Sequence, residues 1–323
     1  MMIMKKIIHL TTKTICHVIF LRKALRWFLR TSLHGTKKKK GFARLLEFIS
    51  LSVPTDDINY VLREKYEDLI INIDTKPNEH GGVSSIFWRG YSQYEPETSP
   101  IFTRLVESTD TFIDIGANWG YYTLLAAAKN PKTRIISFEP HPIWFDQIKK
   151  NIAVNNFKNI QVINKAVSHQ CGEVKFYVDN IHPETSSLQK ETFDNNSDTS
   201  KVIVASTTID KFVEDNLMSQ KPNIGLIKID VEYFEGYVLE GARNTIRKFL
   251  PDMIIEILSV TDDEFKISNC EKIQNIIDEF EYKSFWISKH GLVREESVQG
   301  HDHSGGAYNY LLTKKSWDQA INY

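Results

Sequence analysis

Cysteine is scarce in this 323-residue chain, with Cys16, Cys171 and Cys270 far apart and odd in number. They offer no disulfide framework and no paired metal-ligand spacing, and they fit a reducing compartment. Long apolar runs are missing too. No stretch of 18 apolar residues occurs, so a membrane-spanning helix is not expected. Neither the G-x-G-x-x-G pattern nor a Walker A loop is present, which argues against a pyrophosphate or triphosphate cradle. There is no internal repeat. With 41% hydrophobic and 25% charged residues, the chain has the composition of an ordinary globular protein.

The formal net charge of -1 conceals an asymmetry. Residues 1–46 hold twelve Lys or Arg and no acidic residue, which leaves the rest of the chain at -13. A basic leader on an acidic body suits attraction to an anionic surface. It does not suit a nucleic-acid-binding groove, and no nucleic-acid partner is expected. Within the leader, Val18, Phe20, Leu21, Leu25, Phe28 and Leu29 fall near helical spacing among Arg22, Lys23 and Arg26. That pattern suits a helix lying on a membrane, a helix packed on the domain, or an unstructured leader. Basic residues throughout, with no small-residue cleavage site, speak against a signal peptide. Lys37–Lys40 reads as a solvated turn or a contact to phosphate headgroups.

The spacing predicts three regions: a basic amphipathic leader (1–46), helix and β cap elements (47–108), and a main domain (109–323). In the cap region, 41–53 reads as a helix, and 69–73 and 83–88 as strands. The main domain alternates strands and helices. Strands are expected at 111–115, 134–139, 160–167, 173–179, 223–231, 252–258, 282–287 and 308–314. Helices are expected at 121–129, 142–155, 207–217, 235–249 and about 270–280, with a polar loop at 181–200. Such alternation implies right-handed βαβ units and a doubly wound, mostly parallel sheet. Ligands of such sheets sit at the carboxyl ends of the strands. Asp114, Glu139 and Asp230 all fall at or next to strand ends.

The first such end reads D-I-G-A-N-W-G, residues 114–120. Gly116 allows a sharp turn and close approach of a ligand. Asp114 offers a carboxylate to a cationic amino group or a water. Glu139 closes the second strand, where it can accept from two ribose hydroxyls. After Gly116 and Ala117 comes Asn118 where the dinucleotide fingerprint has its second glycine, which favours a nucleoside cofactor without phosphate over NAD.

FIDIGANWGYYTLLAA, SFEPHP, NKAVSHQCGEVKFYVD, LIKIDVEYFEGYVLEGA and PDMIIEI occur in the order seen in FkbM-type methyltransferases, which this chain resembles over about residues 83–260. The resemblance implies a class I, Rossmann-like α/β fold with a seven-stranded, mostly parallel sheet and an N-terminal extension. It also implies S-adenosylmethionine as cofactor and a hydroxyl of a sugar, glycan or related small molecule as acceptor. Asp114, Gly116, Asn118 and Gly120 would then form the cofactor loop. Glu139 would hold the ribose, with Asn155, Ala166 and Val167 near the adenine. Where the family commonly has D-V-E-G-x-E, this chain has D-V-E-Y-F-E. Tyr233 replaces the usual glycine, so the loop is expected to lack glycine geometry and to shape a different acceptor pocket.

Asp230 or Glu232 is the expected base, with Lys228 steadying the local charge. Lys228 and Asp230 alternate onto one strand face, so an ion pair between them is also expected. His182 in the polar loop, and His301, Asp302 and His303 in a second loop, are candidates for acceptor contact. The short His-x-His spacing is too little to define a metal site, and no metal is expected. Trp88, Tyr91, Tyr94 and Trp119 are candidates for stacking on an acceptor. The rival readings are a methyltransferase-like fold that only binds, and an NAD-dependent oxidoreductase. The expected location is cytoplasmic, and the membrane-lying alternative for the leader would place it at the inner membrane surface.

Overall fold

The computed structural model describes residues 60–75, 90–179, 186–188, 198–258, 263–298 and 308–317, with residues 28, 29, 32 and 86. Most of the expected leader helix, Lys37–Lys40, the 41–53 helix, Trp88, His182, His301 and His303 lie outside the described residues. Residues Met1–Pro96 and Glu97–Tyr323 form two compact units.

In the first unit, β1 (Tyr60–Tyr66) and β2 (Leu69–Thr75) form an antiparallel hairpin. Strand β2 contains the expected LIINI run, with Ile71 and Ile73 buried and Ile70 exposed. This is the period-two pattern of a half-buried strand. Ile86 is helical, against the strand expected at 83–88, and its carbonyl accepts from Gly90 N–H at 2.9 Å. Local apolar content there does not distinguish a short strand from a helical turn.

The second unit begins with α1 (Thr98–Val106), then β3 (Thr111–Ile115), α2 (Tyr121–Lys129), β4 (Arg134–Phe138), α3 (Pro142–Asn155) and β5 (Ile160–Ile163). Three strands follow: β6 (Ala166–Val167), β7 (Gly172–Asp179) and β8 (Thr199–Thr207). The chain continues through α4 (Ile209–Asn216), β9 (Ile224–Ile229), α5 (Glu235–Glu240), α6 (Arg243–Phe249), β10 (Asp252–Glu256) and α7 (Glu264–Glu279). It ends with β11 (Lys283–Ser288), β12 (Gly291–Glu295) and β13 (Asn309–Thr313).

The main sheet has the order β12-β11-β13-β10-β9-β3-β4-β5. Strands β10, β9, β3, β4 and β5 are mutually parallel, and β13 runs against its neighbours. Seven strands carry the expected Rossmann-like arrangement. The eighth, β12, is a hairpin partner of β11 that its charged sequence, GLVRE, hid.

The strand expected at 173–179 is present as β7, while the one expected at 160–167 needs correction. The latter splits into β5 and β6, and β6, β8 and β7 form a separate three-stranded sheet. Strand β8 begins inside the stretch read as loop, because its pairing to β7 over Gly172–Asp179 comes from tertiary context. Likewise the single helix at 235–249 breaks at Gly241 into α5 and α6. A Cβ at Gly241 would overlap the Ser168 carbonyl oxygen, so the break sits where another segment's backbone comes close.

Both faces of the main sheet are covered. On one, Ile113, Ile136, Ile227 and Met253 join a core with Phe212, Ile246 and Ile273. On the other, Phe112 meets Phe102 of α1 edge-to-face at 5.1 Å, and Phe102 meets Tyr122 of α2 at 4.7 Å. Because side chains alternate along a strand, Asp114 follows Phe112 onto that second face.

Candidate active site

The chain leaves β3 through left-handed backbone at Gly116 (φ 79°), Asn118 (φ 53°) and Gly120 (φ 98°). The glycine at 116 is dictated by the protein itself. A Cβ there would overlap the Asp230 carbonyl oxygen, while Asp230 N–H donates to the Ile115 carbonyl at 3.0 Å. The loops after β3 and β9 are thus pressed together backbone to backbone. At Gly120, which caps α2, a Cβ would sit 3.3 Å from Ile148. Asn118 tolerates φ > 0 because its Oδ1 accepts from Trp119 N–H at 2.8 Å.

Glu139, 5% exposed, is gripped by two backbone amides. Asn118 N–H donates to its Oε2 and His141 N–H to its Oε1, each at 2.7 Å. Asn164 fixes the turn behind it, donating to the Glu139 carbonyl at 2.8 Å and the Pro140 carbonyl at 3.1 Å. Burial pushes Glu139 up to about 7, against the pull of the two amides. Each carboxylate oxygen retains a lone pair for a further donor.

Asp114 and Lys228 are register partners on β3 and β9. Thr123 Oγ1 donates to Asp114 Oδ2 at 2.6 Å, and burial raises Asp114 to about 6 despite this bond and the nearby cation. Lys228 is 1% exposed, the most buried cation of the site. Its Nζ lies 3.1 Å from Asp230 Oδ2 and 5.3 Å from the centre of the Tyr122 ring. The ion pair anticipated from strand alternation is present.

Glu256, at the end of β10, was not singled out from the sequence. The Ile255–Ile229 register puts it beside Asp230, so its signal was an acidic residue ending the strand next to β9. Carboxylate oxygens of Asp230, Glu232 and Glu256 lie within 4.8 Å of one another. Burial would raise Asp230, but Lys228 and a hydrogen bond with Glu256 carry it below its ordinary value. Burial and the charge of Asp230 push Glu256 well above its own.

The loop after β9 also runs left-handed, at Glu232 (φ 55°) and Tyr233 (φ 69°). Tyr233 therefore keeps the backbone that glycine would adopt, which corrects the expectation that the loop lacks glycine geometry. The strain is offset by Glu235, whose Oε1 accepts from Val231 N–H at 3.3 Å and Tyr233 N–H at 3.1 Å. Asn269 Nδ2 donates to the other oxygen at 2.9 Å. The Tyr233 ring lies beneath Lys266 at 4.1 Å, and Ser187 Oγ donates to the Glu232 carbonyl at 2.8 Å.

The structure thus gathers Asp114, Lys228, Asp230 and Glu232 into one cluster, and joins Asn118 to Glu139. Asn155 closes α3 and donates to the Asn151 carbonyl at 2.7 Å. Ala166 is buried in β6, paired with Ser206 of β8. Trp119 is buried, so it belongs to the packing of the loop and not to an open stacking surface. Its carbonyl accepts from Asn151 Nδ2 at 3.0 Å.

The donor set suits S-adenosylmethionine. Glu139 can meet two ribose hydroxyls, and the clustered carboxylates favour a cationic sulfonium and ammonium over phosphate. Methyltransferase 1 of Beauveria bassiana is 26% identical over 48% of this chain and 67% of its own length. Methyltransferase sdnD of Sordaria araneosa is 26% identical over 46% of this chain and 66% of its own. The match therefore spans about two thirds of these curated relatives. A crystal structure of a methyltransferase FkbM from Methylobacillus flagellatus aligns at 16% identity with a TM-score of 0.39, over 63% of this chain and 43% of its own. The family model described as the methyltransferase FkbM domain matches residues 114–287, from the penultimate residue of β3 to the penultimate residue of β11. On that match the chain belongs to the FkbM family of S-adenosylmethionine-dependent methyltransferases, with the class I fold.

Proposed function

We propose that the chain methylates a hydroxyl oxygen of a sugar, glycan or related small molecule, with Glu232 as the base. One observation carries this reading: a second carboxylate beside the Lys228–Asp230 pair at the carboxyl end of β9. When bound, S-adenosylmethionine supplies an electrophilic methyl group on a sulfonium. Asn118 and Glu139 orient the nucleoside end, with Gly116 and Gly120 shaping the loop. Asn155 and Ala166 border the adenine in the same reading. Asp114 faces the amino-acid portion.

An alcohol is a weak nucleophile until its proton departs, and a carboxylate within about 2.6–3.2 Å assists as the bond forms. Asp230 is poorly suited to this task. Lys228 and Glu256 both hold its negative charge in place, and its affinity for a proton is lowered. Glu232 brings a second carboxylate to the same group, within 4.8 Å of those of Asp230 and Glu256. Most of the rate comes from alignment of the reacting atoms and exclusion of water. Tyr233, in place of the usual glycine, presents a ring where other members have none and narrows the choice of acceptor. The acidic body and acidic site favour a neutral or cationic acceptor over a polyanion.

Residues 1–46 are proposed to hold the protein against an anionic membrane surface. Among the described residues, no helix is long and apolar enough to cross a membrane. Binding to anionic vesicles that disappears on deletion of 1–46 supports this placement, and equal binding by both forms contradicts it.

Methyl transfer from labelled cofactor to a panel of hydroxylated acceptors tests the reaction. Glu232→Gln is expected to lower kcat by about 10²–10⁴-fold with cofactor affinity retained. Transfer unaffected by that change removes Glu232 from the role of base. Transfer to amines but not to hydroxyls rejects the acceptor class.

A further inference from the structure

Lys228 is the buried cation at the end of β9, yet it is surrounded by acids. Asp230 lies 3.1 Å from its Nζ, and oxygens of Asp230, Glu232 and Glu256 fall within 4.8 Å of one another. The pairing of Lys228 is with Asp230, and Glu232 and Glu256 bring two further carboxylates to the same place. Like charges at such distances oppose full ionisation, and burial adds to the opposition. This crowding favours a proton held on one of the carboxyls. The strand register indicates which. Asp230 takes Lys228 from its own strand, whereas Glu256 enters from β10, paired to Asn309 of β13. Lys228 also acts on it across the sheet, but burial and Asp230 outweigh that pull, and its other ionisable neighbours are acids or phenols: Asp230, Glu232, and Tyr233 with Tyr308 beyond. Asp114 faces Asp230 from β3.

We propose that Glu256 keeps its carboxyl proton and donates it in a hydrogen bond to Asp230, as a positioning residue that reserves Asp230 for charge balance and leaves Glu232 to act as base. The last clause rests on the methyl-transfer reading. The proton itself does not, and it can be tested without an acceptor.

A group that holds its proton more tightly when folded stabilises the fold most below its ordinary value, 4.5 for this glutamate. That advantage is lost as pH rises through the higher value of the folded state. Other raised carboxyls in this protein give the same slope, so the comparison is with the isostere. Thermal unfolding of the full chain is followed from pH 5 to 9 for wild type, Glu256→Gln and Glu256→Ala. The glutamine amide can donate to Asp230 as the protonated carboxyl does. Glu256→Gln is therefore expected to match wild type near pH 5 and to exceed it increasingly at higher pH. Glu256→Ala is expected to fall below Glu256→Gln at every pH, because Asp230 loses its donor.

A constant penalty for glutamine across the range overturns the proposal, as does a penalty that grows with pH. Failure of Glu256→Gln to fold overturns it too, since a neutral donor should be accepted there. A rise in wild-type melting temperature on adding magnesium or manganese, absent in Glu256→Gln, also overturns it. A metal-binding Glu256 cannot hold the proton. None of these outcomes bears on whether the protein transfers methyl groups. Loss of hydroxyl methylation with the pH pattern intact rejects the reaction and leaves the proton assignment standing.

Discussion

Glu139 and Glu235 solve the same problem at two loops. Each is a buried carboxylate that accepts two backbone N–H groups around a left-handed turn. Burial raises both to about 7. They differ in how the oxygens are used. Glu139 spends one amide on each oxygen and keeps acceptor capacity on both. Glu235 places both amides on Oε1 and gives Oε2 to Asn269. The first arrangement can still bind a ligand's paired hydroxyls. The second keeps acceptor capacity on Oε2 alone, so it cannot meet paired hydroxyls with both oxygens, and it holds the Glu232–Tyr233 turn. The loops differ in their glycines for a related reason. Gly116 is required because the Asp230 carbonyl occupies the space of a side chain. Tyr233 bears a side chain at φ 69° because Glu235 offsets the strain.

The comparison breaks most visibly at Gly116. Gly116→Ala must push the two loops apart and is expected to cost more than about 4 kcal/mol, read as loss of soluble folded protein. A folded variant with ordinary stability would show that the loops are not pressed together. Next in size is Glu235→Ala, which leaves two loop amides and Asn269 without their acceptor. A loss of about 2–4 kcal/mol in denaturant unfolding is expected, with the Glu232–Tyr233 turn loosened. Glu139→Ala should differ in kind, removing cofactor binding more than stability.

A third expectation concerns pH. If ribose hydroxyls donate to Glu139, binding is strongest with its carboxylate ionised. Cofactor affinity should rise by about tenfold per pH unit below 7 if Glu139 is the one group titrating, and level off above it. Calorimetric titrations at pH 5.5, 6.5 and 7.5 measure this, and a flat profile contradicts it. Glu139→Gln should flatten the dependence. The smallest effect belongs to Tyr233→Gly. Relief of the left-handed strain is worth about 1 kcal/mol, against about 0.5–1 kcal/mol for the lost Lys266–ring contact. Stability should therefore barely move, while the order of preferred acceptors shifts.

Much of this site could be read before any coordinates. Strand ends in a parallel sheet are marked by acidic residues after β-branched runs, and Asp114, Glu139 and Asp230 carry that mark. The Lys228–Asp230 pair followed from alternation on one strand. What could not be read depended on neighbours distant in sequence. Glu256 matters because β10 lies beside β9, an adjacency that no local pattern encodes. Glu235 closes the D-V-E-Y-F-E motif, but its acceptance of two amides depends on a turn whose residues do not advertise left-handed backbone. Strand β8 and the three-stranded sheet were missed because polar Thr199–Lys201 enters a strand only through its pairing with β7. Glycine's absence at 233 was read as absence of glycine geometry, an inference that ignored a nearby carboxylate able to hold the turn.

The matched pair divides its work if Glu139 meets the ligand and Glu235 only holds its turn. Calorimetric titration of S-adenosylmethionine and its demethylated product into wild type, Glu139→Ala and Glu235→Ala, with unfolding measured alongside, tests it most directly. Wild type is expected to bind, folded Glu139→Ala to bind more weakly by at least about tenfold, or 1.4 kcal/mol, and Glu235→Ala to show the larger stability loss. Undiminished binding by Glu139→Ala, or no binding by well-folded wild type, would contradict it.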